Sequence, residues 1–367
     1  MRIALVAPLI SPIREPQIGG VATLLTDLAL GIQQAGHEVS LFAASGSRMD
    51  GIHVVDTGIR PEELAETVFR PLAAAAPASQ SRRRSQLARR AFERVYGLVA
   101  GGQFDVVHNH SFDAEAIVRA CRLGCPVVHS LHLPPDPAVS RAVAEAQSSP
   151  RPPVVAAVSR SQLEGWRRLN RIDVLLPAGI PTARIPWSAT ASGGLLLAGR
   201  ISPEKGVLDA VQIAAVCGMP LTIAGNRYDE DYARRVDEAA ERAGGIRFAG
   251  SLPRRRLWDL MASSAALLFP IRWEEPFGLV TAEAQAAGCP VVGYRRGALS
   301  DVIADGETGI AVDPGDLQAA AGAVPRAMAF NRRRCRHHAE SALDIGPPVE
   351  AHLRLYERLA AGEAAAG

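Results

Sequence analysis

The chain has 367 residues, of which 48% are hydrophobic and 21% are charged, and its formal net charge is +2. This length allows two domains with separate cores, and the hydrophobic content excludes an intrinsically disordered chain. A charge so close to neutral gives no field that would attract a polyanion, so we expect no nucleic-acid partner. The five cysteines are scattered without histidines at zinc-ligand spacing, which predicts reduced thiols and no metal site. Because no signal-peptide core and no long apolar run is found, we expect a cytoplasmic protein.

Both halves of the chain alternate apolar, strand-like runs with amphipathic helical patterns, which is typical of parallel α/β sheets. In the first half, a helix is predicted from Val21 to Ile32, and strands are predicted at 3–7, 38–43, 52–55, 104–108, 126–130, 153–158 and 172–176. In the second half, strands are predicted at 195–198, 220–224, 246–249, 265–270, 290–293 and 309–312, with a helix at 206–216. The small, polar stretch 185–193 predicts a linker between an N-terminal domain, 1–186, and a C-terminal domain, 190–345.

The segment from Trp273 to Glu283 is the most informative part of the chain. Two carboxylates, Glu275 and Glu283, lie eight residues apart, and Pro276 and Gly278 between them suit a turn and a helix start. The free N–H groups and the dipole of such a helix start attract phosphate-like anions. A carboxylate on each side of an anion site suits a ligand with a central pyrophosphate and flanking hydroxyl groups, such as a nucleotide sugar. The spacing alone would also fit two solvated helical glutamates.

Cations follow the first predicted strand of the second half. Arg200 and Lys205 lie five residues apart on a loop and could both reach one pyrophosphate, although two solvated surface cations would give the same pattern. In the first half, Gly19 and Gly20 open a helix, where a backbone without Cβ atoms can approach a ligand; a simple turn is the alternative.

Histidines end two predicted strands of the first half. His108 and His110 follow one strand, and we expect one ring to point into a ligand cleft and the other toward the core. His132 follows the next strand and could face an acceptor. A purely structural role, in the core or as a cap, is the alternative for these rings.

The segment 273–283, with the run 286–292 after it, resembles the double-glutamate signature of retaining GT-B glycosyltransferases of family four, the group 1 glycosyl transferases. The Gly-Gly-Val start, the His-x-His strand end, the cationic loop and the run 305–309 extend the resemblance over almost the whole chain. The resemblance implies an α/β GT-B fold, in which two Rossmann-like, doubly wound domains face each other across a cleft. It also implies that a last helix, near 349–361, packs back on the first domain.

The resemblance implies a role for each candidate residue. The residues implied in catalysis are Glu275, Arg200, Lys205 and His110. Those implied in donor binding are Gly19, Gly20, Phe277, Gly278, Leu279, Val280 and Glu283, and His132 is a candidate for acceptor binding. Glu275 and His110 would hold hydroxyl groups of the transferred sugar, Glu283 the ribose, and the two cations the diphosphate.

The implied reaction moves a sugar from a nucleoside-diphosphate sugar to a hydroxyl acceptor, for example a small-molecule natural product, with retention of anomeric configuration. UDP is the first choice of nucleotide, with GDP and ADP as alternatives, and no metal or other cofactor is required. A sugar-nucleotide epimerase or phosphorylase, or a non-catalytic nucleotide-sugar-binding protein, is the alternative to a transferase. The basic stretch Arg82–Arg94 could contact a membrane peripherally, but a solvated helix face is the favoured interpretation.

Overall fold

The computed structural model describes residues 1–17, 19–67 and 78–363, which form two compact units. The first unit comprises Met1–Ala178 and Ile345–Gly367, and the second comprises Gly179–Asp344. The division therefore lies a few residues before the linker that we predicted at 185–193. The residues just before the predicted linker already belong to the second unit, because the N–H of Ile180 donates to the carbonyl of Leu343 at 2.9 Å.

In the described residues, each unit is built on one parallel sheet, and the predicted strands all coincide with observed ones. The strands of the first unit are β1 (Arg2–Val6), β2 (Glu38–Ala43), β3 (His53–Asp56), β4 (Val106–Asn109), β5 (Val127–Ser130), β6 (Val154–Ala157) and β7 (Val174–Leu175). Those of the second unit are β8 (Leu195–Ala198), β9 (Leu221–Ala224), β10 (Ile246–Gly250), β11 (Ala266–Phe269), β12 (Val291–Tyr294) and β13 (Gly309–Val312).

Helices connect these strands. They are α1 (Gly20–Gln34), α2 (Ala78–Ala100), α3 (Ala114–Ala120), α4 (Pro137–Gln147), α5 (Arg160–Arg167), α6 (Val207–Cys217), α7 (Glu230–Ala243), α8 (Arg254–Ser263), α9 (Leu279–Ala286), α10 (Leu299–Val302), α11 (Leu317–Met328), α12 (Arg332–Ala342) and α13 (Gly346–Ala360). The central strands are rich in Val, Leu and Ile and almost wholly buried, as expected for sheets covered on both faces, whereas β3, β7 and β10 at the sheet edges are partly exposed.

The two sheets share one strand order. The first runs β3-β2-β1-β4-β5-β6-β7 and the second β10-β9-β8-β11-β12-β13. In each sheet the order therefore reverses beside the first strand of the unit, between β1 and β4 and between β8 and β11. Ligands of such doubly wound sheets bind at the carboxyl ends of the strands at this point of reversal. The α/β, doubly wound architecture predicted from the sequence is thus confirmed in each unit.

The last helix, α13, belongs to the first unit and packs on α1 and β4. The contact with α1 is close at Gly31, where an added Cβ would lie 2.6 Å from Cγ2 of Val349. We predicted this helix near 349–361, and its start was wrong, because α13 begins at Gly346 and Pro347 and Pro348 lie in its first turn. First-turn residues do not need their N–H for the helix, so proline is tolerated there.

The arginine-rich stretch lies on α2. Its arginines 82, 83, 89 and 90 are exposed, whereas Phe92 and Tyr96 are buried in the core of the first unit. The aromatic side chains of this helix are therefore used for packing. Within the part of the chain that the structure describes, no helix has the length and apolarity needed to cross a membrane.

Candidate functional site

In the second unit, the loops that follow β8 and β11 touch through their backbones. The N–H of Arg272 donates to the carbonyl of Glu204 at 2.8 Å. Gly206 has a φ of +64°, and a Cβ at this position would lie 1.8 Å from the carbonyl oxygen of Pro270. Only glycine permits both this backbone conformation and this approach. The two loops are therefore held together at the reversal point of the second sheet.

Lys205 and Glu275, one from each loop, form an ion pair. Nζ of Lys205 lies 2.5 Å from Oε2 of Glu275, and their side chains are 16% and 17% exposed. The indole N–H of Trp273 donates to the same oxygen at 2.6 Å. Lys205 is the single lysine in a sequence that otherwise carries its positive side chains on arginine. A compact ammonium, rather than a planar guanidinium, thus occupies this position.

Glu275 is also fixed through its backbone, by residues that the sequence analysis did not identify. Its carbonyl accepts the N–H of Ala298 at 2.9 Å. A Cβ on Gly297 would lie 2.3 Å from the Glu275 nitrogen, and Gly297 has a φ of +52°. In the sequence, Gly297 is only a glycine in the loop after a buried strand, and this pattern is too common to predict the contact with Glu275.

Arg200 lies on the same loop as Lys205 but has its own partners. Its Nη2 is 3.0 Å from Oε1 of Glu204, and its guanidinium carbon is 4.4 Å from the centre of the Tyr228 ring. The hydroxyl of Ser202 donates to the same oxygen of Glu204 at 2.7 Å. Arg200 is a quarter exposed, at 25%, so the guanidinium is held in place while part of it stays accessible.

The other donor candidates lie at the start of α9. Gly278 precedes the helix with a φ of +83°, a conformation that favours glycine, and Leu279 and Val280 are its first residues. Phe277 packs against the core of the second unit. One turn later, Glu283 is 4% exposed.

Glu283 forms a buried ion pair that the sequence analysis missed. Nε and Nη2 of Arg254 lie 2.8 and 2.7 Å from its Oε1. The guanidinium carbon of Arg254 also lies 4.7 Å from the centre of the Trp258 ring. Arg254 comes from α8, and no local spacing in the sequence relates it to Glu283.

The first unit carries the glycine pair and the histidines at the reversal point of its own sheet. Gly19 precedes α1 with a φ of +90°, and Gly20 is the first residue of that helix. A Cβ at Gly19 would meet nothing within 4 Å, so the backbone conformation, and not crowding, favours glycine there. The N–H of His110 donates to the carbonyl of Val6 at 2.9 Å, which places His110 directly beside the end of β1.

The histidines of this unit form a buried, connected cluster. Nδ1 of His110 lies 2.9 Å from Nε2 of His132. Nδ1 of His108 lies 2.5 Å from the hydroxyl of Tyr356, and its Nε2 lies 2.8 Å from the hydroxyl of Ser130. We expected the rings of His108 and His110 to point in opposite directions, and this was wrong, because their centres are 3.9 Å apart. Residues two apart in a strand share a face.

Burial keeps these rings neutral. It lowers the pKa of His110 well below the ordinary value and lowers the pKa of His132 to about 3. A neutral imidazole has one N–H donor and one acceptor nitrogen. Nε2 of His110 is buried and, among the residues that the structure describes, has no hydrogen-bond partner. The cluster therefore has one unoccupied polar position, on the ring beside the end of β1.

Within residues 1–17, 19–67 and 78–363, no group of three or more His, Cys, Asp or Glu side chains is arranged to hold a metal ion.

Comparison with protein families assigns both halves of the chain. Residues 18–184 match the model for Glycosyltransferase Family 4, and residues 192–342 match the model for Glycosyl transferases group 1. The chain belongs to glycosyltransferase family 4. The resemblance found in the sequence is therefore confirmed.

This family 4 member is similar to several characterised proteins. It is 33% identical over 202 residues to a glycogen synthase of Mycobacterium tuberculosis, a match that covers 50% of the chain and 48% of the relative. The match thus spans about half the length of that relative. A D-inositol 3-phosphate glycosyltransferase of Acidothermus cellulolyticus is 27% identical over 381 residues, covering 89% of the chain and 82% of the relative.

Solved structures confirm the fold. HepE from Anabaena, crystallised with UDP and glucose, superposes with a TM-score of 0.73 at 19% identity, covering 98% of this chain and 100% of that one. This likeness, at such low identity, concerns the fold alone. The neighbours are GT-B glycosyltransferases, so the predicted GT-B fold is confirmed.

Proposed function

We propose that this family 4 member is a retaining glycosyltransferase that moves a sugar from a nucleoside-diphosphate sugar to a hydroxyl group of an acceptor. The observation that carries the proposal is the ion pair of Lys205 and Glu275. It joins the loops that follow β8 and β11, the two neighbouring strands at which the strand order reverses, and such a sheet binds its ligand at this point. The names of the inositol-phosphate and glycogen-synthesising relatives support sugar transfer, and the UDP bound by HepE supports UDP as the first donor to test.

Lys205 and Arg200 would stabilise the leaving group. When the bond between the anomeric carbon and the diphosphate breaks, negative charge develops on the phosphate oxygens. A cation held in a half-buried site stabilises that charge without reorganisation. Glu275 balances the charge of Lys205 in the ion pair. A bound diphosphate would take over this partner and leave the carboxylate free to accept hydrogen bonds from the sugar hydroxyls.

The same arrangement accounts for retention without a protein nucleophile. The acceptor oxygen would attack the anomeric carbon on the face from which the diphosphate departs, and the leaving phosphate oxygen would take the acceptor's proton. The transferred sugar then keeps its configuration, and the products are the glycosylated acceptor and a nucleoside diphosphate. Because Lys205 and Arg200 supply the positive charge, we propose that no metal or other cofactor is required.

The remaining residues would hold the rest of the donor. The first amides of α9, at Leu279 and Val280, and the backbone at Gly19 and Gly20 suit phosphate oxygens. Glu283 would accept a hydrogen bond from the ribose, with Arg254 fixing its carboxylate.

The test uses two adjacent glutamates. Glu275→Gln should lower the turnover number by about 10²–10³-fold, the cost of losing one preorganised electrostatic contact in the transition state. Glu274 is the matched control, because its carboxylate is 57% exposed and accepts the N–H of Gly297 at 2.7 Å. Glu274→Gln keeps an acceptor for that bond and should retain most activity. Near-normal turnover by Glu275→Gln would contradict the proposal.

The donor is identified by thermal shift. A nucleoside diphosphate and its sugar that bind the native state raise the melting temperature, and matched monophosphates raise it less. Failure of every UDP, GDP and ADP ligand to bind would contradict the proposed function. NMR of the product would show the donor's anomeric configuration, whereas an inverted product would contradict a retaining mechanism. Activity should persist in EDTA, and strict dependence on a divalent cation would contradict the metal-free proposal.

A further inference from the structure

One ring nitrogen in the histidine cluster of the first unit has no hydrogen-bond partner among the described residues. His110 is 1% exposed, and its Nε2 is the buried nitrogen for which the described residues provide no partner. Leaving a buried polar atom without a hydrogen bond costs about 1–3 kcal/mol. Nε2 of His110 lies next to the reversal point of the sheet, where it could form a hydrogen bond with a hydroxyl group of a ligand.

We propose that His132 and Tyr356 are positioning residues for His110. In this proposal His132 determines which nitrogen of the His110 ring carries the proton, and Tyr356, acting through His108, fixes the plane of that ring. The inference rests on the proposed function, in which Nε2 of His110 meets a hydroxyl group of the bound donor sugar. It also changes the role of His132, which the sequence analysis assigned to the acceptor.

The contact with His132 sets the proton position. The 2.9 Å contact joins Nδ1 of His110 to Nε2 of His132, so one of these atoms donates and the other accepts. Both rings are buried and stacked, with centres 5.1 Å apart. In a neutral ring, a fixed role at Nδ1 gives the opposite role at Nε2. Without His132, both tautomers of His110 would be populated. The direction of the hydrogen bond between Nε2 and the ligand hydroxyl, which can donate or accept, would then no longer be fixed.

Tyr356 secures the other side of the His110 ring. Both nitrogens of His108 are bound, one by Tyr356 and one by Ser130, so the His108 ring cannot turn over without losing two hydrogen bonds. The ring of His110 lies against it, with 3.9 Å between centres. The ring of His352, one turn before Tyr356 on α13, lies 5.5 Å from the ring of His108 and is tilted by 31°. The last helix of the chain therefore forms the outer support of the stack.

His132 is tested with two substitutions. His132→Leu removes the contact and should lower the turnover number about tenfold, with an unchanged KM for the donor, because the lost hydrogen bond matters most in the transition state. His132→Gln places an amide that can donate or accept, and it should recover most of the turnover. The control is His129→Leu in β5, three residues before His132, whose ring contacts Asn109 instead; it should lower stability but leave turnover within about twofold.

Tyr356 is tested against a second buried tyrosine of the same unit. Tyr356→Phe should lower turnover about fivefold at constant KM, because the ring remains and only the bond to His108 is lost. In Tyr96→Phe the lost partner is the carbonyl of Ala116, 2.7 Å from the hydroxyl, and turnover should not change. If the two variants lose stability alike and neither changes turnover, Tyr356 is only structural and the proposal is overturned.

A second measurement does not depend on activity. Long-range ¹H–¹⁵N spectra of the histidine rings should show a single tautomer of His110 in the wild-type protein and a mixture in His132→Leu. An unchanged tautomer in that variant would overturn the positioning proposal. A wild-type protein that transfers no sugar would contradict the proposed function, while the ring spectra would still test the positioning of His110.

Discussion

The two sheets of this protein share a topology, but the side chains at the carboxyl edge of each sheet, where the strand order reverses, differ in charge and burial. The edge of the second unit carries ion pairs, Lys205 with Glu275 and Arg200 with Glu204, in which the two cations are 16% and 25% exposed. The edge of the first unit carries buried, neutral rings that hydrogen-bond to each other, among them His110 and His132. The parallel fold thus determines where a ligand binds, while the loops and strand ends determine the chemistry of the contact.

This difference predicts different sensitivities. Charged pairs near solvent are weakened by salt, whereas buried imidazoles resist protonation and are weakened by acid.

Acid should destabilise the first unit most. Burial lowers the pKa of His129 and His132 to about 3 and of His352 to about 4, against about 6.5 in an unfolded chain. Their stabilisation is present above about pH 6.5 and is lost as the pH falls toward the folded-state values, because the unfolded chain takes up the protons first. Asp113 opposes them, since burial raises its pKa to about 6 and the folded state protonates first. These four groups alone should give a loss on the order of 4 kcal/mol at pH 5, and the lowered pKa values of His108 and His110 should add to it.

Pulse proteolysis in urea at pH 7.5 and pH 5, with the fragments assigned by mass spectrometry, measures this loss in each unit separately. His129→Gln should reduce the pH dependence of the first unit. An equal response of both units to acid would contradict the contrast between the two edges.

Gly206→Ala should disrupt the charged edge through its backbone. The added Cβ would meet the carbonyl oxygen of Pro270 at 1.8 Å, and we expect a loss of about 3 kcal/mol in the free energy of unfolding. Gly218→Ala is the matched control, because Gly218 has a nearly equal φ of +62° and nothing within 4 Å of the added atom. In Gly218→Ala, backbone strain alone should lower the free energy of unfolding by about 1 kcal/mol. Equal losses in urea unfolding would show that the contact with Pro270 does not matter.

Lys205→Gln should have the smallest effect. Loss of one partly exposed cation should weaken binding of a nucleoside diphosphate about tenfold at low ionic strength and less at high ionic strength. Lys205→Arg keeps the charge but not the compact shape, so it should restore the salt dependence without restoring full turnover. Calorimetric titration at two salt concentrations measures both effects, and a loss independent of salt would argue against a phosphate contact.

Features with a local signal were predicted from the sequence. The strands were found because buried parallel strands are short apolar runs. Lys205 was found because it lies on the loop after such a run, and Glu275 because the segment 273–283 resembles the double-glutamate signature. The partners of the candidate residues were not predicted. Tyr356 reaches His108 from 248 residues away, and Arg254 reaches Glu283 from another helix. Periodicity shows which face of an element is buried, but not which residue it meets, so these contacts could not be derived from one sequence.

The single lysine has a practical consequence. In this sequence, Lys205 is the one side chain that amine-reactive reagents acylate. Covalent labelling therefore reports on one side chain of the candidate site, without mutation and without a known acceptor. A molecule that occupies the position beside Glu275 should protect Lys205, so a mass spectrum of the peptide that contains Lys205 becomes a direct screen for ligands.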